Sequence, residues 1–207
     1  MRYSGLFGVA VAAIALTGCV APVGPVEVTR FHLPDTAMLG RGPIAVEAAA
    51  GMDPASLELR SFQYAVSREL QRIGYQESGP GGGAQVAEVR LERRSVRPER
   101  TRGPVSVGVG GSTGSYGSGL GLGLGLDLSG RPPEMTETLL GVMIRDRVTR
   151  SVLWEGRAEF AVRADSPLAS TQLGAAQMAR ALFRDFPGNS GETILVKPDK
   201  AGAPAGR

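Results

Sequence analysis

The chain is short of the side chains from which most catalytic and metal sites are built. Its 207 residues include one cysteine, Cys19, and one histidine, His32. A single cysteine excludes an internal disulfide, and with one histidine beside it most zinc and iron ligand sets are excluded as well. Long apolar runs are also missing. The stretch from Leu6 to Leu16 holds 11 residues, whereas a bilayer-spanning helix needs roughly 20. Glycine is plentiful at 30 residues, yet no G-x-G-x-x-G register is met and no lysine follows the glycines to make a phosphate loop. Gly110-Gly111-Ser112-Thr113-Gly114 fits the G-x-S-x-G string. That motif needs a strand-to-helix turn and a later histidine; here strand follows strand and His32 lies upstream. The carboxylates are scattered, and His32 reads as a packed or surface histidine. The expectation is therefore no catalytic residue, no metal and no cofactor.

What the chain does have is Leu16-Thr17-Gly18-Cys19 at the end of that apolar run, behind a short start carrying Arg2. An uncharged run of this length fits the h-region of a cleaved export signal. The ending resembles the lipobox of bacterial lipoproteins, in which cleavage falls between Gly18 and Cys19 and the cysteine is acylated. Two or more acyl chains anchor stably, each buried CH2 adding about 0.8 kcal/mol. Val20 follows in place of the Asp that resembles an inner-membrane retention signal. The implied address is the cell envelope, lipid-anchored at the outer membrane and facing the periplasm, with membrane lipid reached through palmitate-type acylation of Cys19.

Removal of residues 1–18 takes away Arg2 and leaves 22 basic and 20 acidic side chains, since the full chain has 23 and 20. The sequence pI of about 9.4 would suit nucleic acid, but an exported lipoprotein does not meet the chromosome. Residues 19–26 form the lipidated cysteine and a short Pro-rich tether, about 20 Å long when extended. Residues 27–190 then make a single domain and 191–207 a flexible tail.

Within the domain, Glu27–Leu33 reads as a first strand with Val26, Val28 and Phe31 apolar, and Ile44–Ala49 as a second. Asp53 as N-cap and Pro54 at the first position open a helix. Leu59, Phe62, Val66, Leu70 and Ile73 share one face of it, and Gly74 closes it. A strand over Gln85–Arg93 follows. Thr138–Arg145 and Val152–Arg163 alternate apolar with polar residues about a turn at Asp146–Ser151, the pattern of half-buried antiparallel strands. A second helix begins near Ser166-Pro167 with Leu168, Gln172, Ala175, Ala179, Leu182 and Phe186 on one face. The fold class is α+β, an antiparallel sheet with two amphipathic helices on one face.

Residues 103–130 hold 11 of the 30 glycines. Val105, Val107 and Val109, and then Leu120 through Leu128 at every second position, alternate with Gly or polar residues, which predicts a Gly-rich β-hairpin. Three roles stay open. The hairpin extends the domain's own sheet, or it pools with other copies over 104–128 into a homo-oligomer or pore, or it orders on a partner. A ten-residue strand is long enough for a barrel wall, although only Tyr116 supplies an aromatic nearby. Just before the hairpin, Arg90, Arg93, Arg94, Arg97, Arg100 and Arg102 lie close together beside Glu92 and Glu99. They read either as a solvated strand end or as a contact to anionic headgroups, at about 1 kcal/mol per basic residue near the surface.

With these residues in view the chain resembles the bacterial envelope lipoproteins of the domain-of-unknown-function 4136 (DUF 4136) family. The marks are the lipobox ending at Cys19, Gly74-Tyr75 after the first helix, Asp146 with Val152-Leu153-Trp154-Glu155-Gly156, and Phe186-Pro187-Gly188. Ala87-Glu88 stands where members often have Ala-Asp. The resemblance implies a periplasm-facing accessory protein and carries no established activity. With no catalytic constellation in the chain, the expectation is a non-catalytic protein that binds an envelope protein or a cell-wall component. Physically the marks read as scaffold, with Trp154 and Phe160 filling the space between sheet and helices and Gly156 admitting close approach.

Overall fold

The long alternating segments build the centre of the sheet. The structure, a computed structural model, describes residues 23–97, 105–112, 119–126 and 133–198. In chain order the elements are β1 (Val26–His32), β2 (Gly42–Ala48), α1 (Leu57–Arg72), β3 (Tyr75–Ser78), β4 (Gln85–Val96), β5 (Val105–Ser112), β6 (Gly119–Leu126), β7 (Met135–Asp146), β8 (Val152–Arg163), a 3-10 turn (Pro167–Ala169), α2 (Thr171–Leu182) and β9 (Thr193–Val196). Seven strands form one sheet in the order β3-β2-β4-β7-β8-β1-β9. Strands β4, β7 and β8 are 12 residues each, roughly twice the usual strand length, and form the middle of the sheet.

One face of this sheet is covered. The register places Arg30, Gly156, Val142 and Val89 in one row, and His32, Trp154, Ile144 and Ala87 in the next. Val28, Val89, Leu140, Ile144, Trp154 and Ala158 are fully buried there. Helix α1 presents Leu59, Phe62, Val66 and Leu70 to this face, and α2 presents Ala175, Met178, Ala179 and Leu182. The two helices lie side by side, α1 over β2 to β4 and α2 over β8 and β1. The expected two-helix α+β layer is thus present.

The expected all-antiparallel sheet is corrected in one place: β2 pairs parallel with both β3 and β4, so the sheet is mixed. The β2–α1–β3 segment is a crossover unit, in which a helix carries the chain back to run parallel to its first strand. A connection of only six residues then joins β3 to β4 although both run the same way. It suffices because β3 lies along the first half of β2, with Tyr75 beside Gly42 and Ser78 beside Ala45, whereas β4 lies along the second half, from Gln85 beside Ile44 to Val89 beside Ala48. The chain steps sideways over β2, about 10 Å at ordinary strand spacing. The Gly-rich loop crosses at Pro43, where a Cβ on Gly83 would sit 2.9 Å from the Pro43 carbonyl oxygen.

The helix starts also differ from expectation. Asp53 caps an isolated turn through its bond from the Ala55 N–H (2.9 Å), and α1 opens three residues later at the cap Ser56, whose Oγ accepts from Leu59 N–H (3.3 Å). Ser166-Pro167 opens the 3-10 turn and α2 begins at Thr171, leaving Gln172 exposed. Gly74 ends α1 as expected, at φ +114. The expected flexible tail begins with order instead: β9 adds an edge strand along β1, with Val196 beside Val26. Strands β5 and β6 pair with each other in a two-stranded sheet outside the seven-stranded one. Among the described residues no helix is long and apolar enough to cross a membrane.

Candidate functional site

The face of the sheet opposite the helices carries the charge. Its rows alternate in sign. Glu92, Glu159 and Glu27 lie in register with Leu139 and Leu195; Arg90 and Arg157 form the next row with Gly141, Thr29 and Thr193; Glu88 and Glu155 follow with Met143 and Phe31. Neighbouring rows pair, as in Arg157–Glu155 at 2.7 Å. Arg145 reaches Glu88 at 3.1 Å and Arg147 reaches Glu47 at 2.7 Å. The bond from Arg147, with one from the Gly81 N–H, holds the Glu47 carboxyl below its ordinary pKa. A groove of about 780 Å³ is lined by Glu27, Glu92, Glu137 and Glu159 against Arg93 and Arg94, with Pro25, Leu139 and Leu195 among them. Its carboxylates outnumber its arginines, so it does not suit an anionic ligand.

Each arginine of the predicted cluster that the structure describes is engaged. Arg90 donates to the Ala50 carbonyl at 3.1 Å. Arg93 faces the helices, where it bonds Glu58 at 2.6 Å, Thr171 Oγ1 at 2.9 Å and the Ala169 carbonyl, tying the starts of α1 and α2 together. Arg94 pairs with Glu137 at 2.6 Å and Arg97 with Glu134 at 2.8 Å. Ser95 also donates to Glu134, and that bond, followed by Arg97, lowers the Glu134 pKa. Glu58, Glu134 and Glu137 were not legible as partners because they lie 35, 37 and 43 residues from the arginines they meet. Arg100, Arg102, Gly18 and Cys19 lie outside the described residues.

A second polar group closes the other end of the covered face. Arg30, on the strand position in phase with Val26 and Val28, is 3% exposed. It donates to the Ala181 carbonyl near the end of α2 at 3.4 Å. Burial lowers its pKa, opposed by Asp185 and Glu192. His32 faces two carbonyl oxygens, with Nδ1 2.7 Å from Leu33 O and Nε2 3.2 Å from Gly188 O. Its backbone N–H donates to Ser190 Oγ at 3.0 Å. Trp154 Nε1 donates to the Pro187 carbonyl at 3.0 Å, and its ring stacks on Phe183 at 5.4 Å. The Phe186-Pro187-Gly188 segment is therefore bolted to β1 and β8. Tyr75, whose hydroxyl donates to Gln85 Oε1 at 3.1 Å, is pushed up to about 12 by burial. These groups hold structure together. Among the described residues no group of three His, Cys, Asp or Glu side chains could hold a metal ion.

No family model matches the chain. An uncharacterized protein of Zymomonas mobilis is 28% identical to it, over 84% of this chain and 80% of that protein. Among solved structures, a PelC dodecamer from Paraburkholderia phytofirmans superposes with a TM-score of 0.44 at 12% identity, covering 76% of this chain and 94% of that one. A PDZ domain protein from Parabacteroides distasonis gives a TM-score of 0.44 at 12% identity, and this chain spans 39% of its length.

Proposed function

We propose that the protein is a lipid-anchored accessory protein of the bacterial cell envelope, held at the outer membrane through Cys19 and facing the periplasm. It acts by binding a protein or wall component, a reading supported by the lack of a catalytic constellation in the sequence; the resemblance to the DUF 4136 lipoproteins supports the accessory, periplasm-facing role. The observation that carries this reading is Leu16-Thr17-Gly18-Cys19 behind an uncharged 11-residue run. The charged, ion-paired face of the sheet is where such a partner would dock, because the helices leave it uncovered. Feeding cells a labelled fatty acid tests the anchor. The wild-type protein should take up label and sediment with the membranes, and Cys19→Ala should do neither. Label retained by Cys19→Ala, or a wild-type protein free of label, refutes it.

A second reading is favoured by the pairing of β5 and β6 with each other and not with the main sheet. In it the protein is a subunit of an oligomeric envelope assembly or pore built through residues 104–128. Light scattering of the detergent-extracted protein would then show a ring-sized particle that becomes a monomer when 104–128 are deleted. A monomer in both cases excludes it.

A further inference from the structure

The topology brings three parts of the chain out at one end of the sheet. The register row Glu92–Leu139–Glu159–Glu27–Leu195 crosses five strands. Strand β1 begins one residue before this row, so the segment leading from Cys19 enters here. Strand β4 runs four residues past it to Val96, and β7 starts four residues before it at Met135. The chain that carries β5 and β6 thus leaves and re-enters the sheet at the end where the tether arrives. At about 3.3 Å per residue, β4 and β7 overshoot the start of β1 by roughly 10 Å. Six tether residues reach at most about 20 Å, so an anchor at Cys19 leaves the tips of β4 and β7 within about 10 Å of the lipid.

The arginines at this end are poorly suited to the role of lipid contact, because Arg93, Arg94 and Arg97 already hold Glu58, Glu137 and Glu134. Strands β5 and β6 differ in that neither carries a charged residue. Their register sets Val105, Val107 and Val109 opposite Leu126, Leu124 and Leu122, with Ser106 opposite Gly125 and Gly108 opposite Gly123 between them. Valine and leucine positions therefore share one face of the pair. A two-stranded apolar ribbon is not stable in water without a cover.

We propose that this end of the sheet faces the bilayer and that the Val/Leu face of β5 and β6 partitions into it as an apolar contact independent of the lipid anchor. The orientation rests on the proposed acylation of Cys19; the contact is tested without it. The chain from Val20 to Arg207 retains every described residue and lacks cysteine, so one introduced cysteine takes an environment-sensitive fluorophore at a single place. Labels go at Leu122→Cys and, as control, at Val148→Cys in the turn at the opposite end. The probe is a vesicle of neutral phosphatidylcholine.

The expected result is a blue-shifted emission on vesicle addition for the label at 122 and none at 148. Leu120→Asp with Leu124→Asp should lower partitioning about tenfold or more while the thermal transition of the core stays in place. No shift at 122 overturns the contact and leaves the anchor reading standing. Partitioning only into anionic vesicles overturns it in favour of headgroup binding. A shift that appears without lipid and grows with protein concentration overturns it in favour of a second copy. Absence of acyl chains on Cys19 in cells would instead remove the anchor and leave the vesicle result untouched.

Discussion

Replacing Gly156 with alanine puts a methyl carbon 2.8 Å from Trp154 Cζ2, closer still to Cη2, and 2.8 Å from Leu182 Cδ1. The indole cannot retreat easily. It is fully buried, stacked on Phe183 with 18° between the rings, and pinned through Nε1 to Pro187. Overpacking of a filled core costs about 1–3 kcal/mol, and a ring held on three sides places Gly156→Ala near the top, at about 3 kcal/mol. For a chain of this length that lowers Tm by roughly 6–12 °C. Trp154→Ala alone should cost about 3–5 kcal/mol from lost burial and the cavity left behind. In the double variant the alanine methyl enters space the indole has vacated, and only the flexible end of Leu182 still has to move. Gly156→Ala should then cost about 1 kcal/mol or less, a coupling of about 2 kcal/mol. Thermal and urea unfolding of the four proteins measures this cycle. Additive effects, or an unchanged Tm for Gly156→Ala, would refute the packing argument.

Three further outcomes are expected. Arg93→Ala should destabilise the fold by about 1–3 kcal/mol, because it strips charge-assisted bonds from Glu58 and Ala169, and it should leave affinity for anionic vesicles unchanged; a selective loss of vesicle affinity would return Arg93 to the surface. Gly83→Val should destabilise the β3–β4 crossing by more than about 1 kcal/mol, since φ is +78 and the Pro43 carbonyl is in the way; native urea stability would contradict the crossing. Acid should weaken the fold. The carboxyls of Glu47, Glu134, Asp146 and Asp165 are all held below their ordinary values, the first by Arg147, the second by Ser95, the third by the Thr149 N–H and the last by Arg163. Their contribution is present above the unfolded pKa of about 4 and lost as pH falls through the depressed folded values. Tm should therefore fall as pH drops below about 4, less steeply in Asp146→Asn, and a flat or rising Tm there would contradict these hydrogen-bond and ion-pair partners.

Much of the fold was legible because burial on one side writes itself into a strand. The alternation over Val152–Arg163 and the five apolar residues from Leu59 to Ile73 predicted β8 and α1 directly. Strand β3 escaped because Tyr75–Ser78 has four residues and one buried side chain, too few to show a period. Strand β9 was hidden in a polar tail for the same reason. The parallel pairing of β2 depends on where β3 and β4 lie along it, and no local pattern records that. The site was less legible still. Sequence spacing found the arginine run but not its acidic partners, which come from α1 and from the start of β7. Arg30 could have been noticed: it shares parity with Val26 and Val28, and an in-phase charge on an apolar strand face calls for a buried partner.

The anchor is the premise on which envelope address, orientation and partner class all depend, and intact mass spectrometry of the detergent-extracted protein reads it directly. The expected mass is that of a chain that begins at Cys19 and carries two or three acyl chains on that residue. A chain that still begins at Met1, or one cleaved and bearing an unmodified thiol at Cys19, would contradict it.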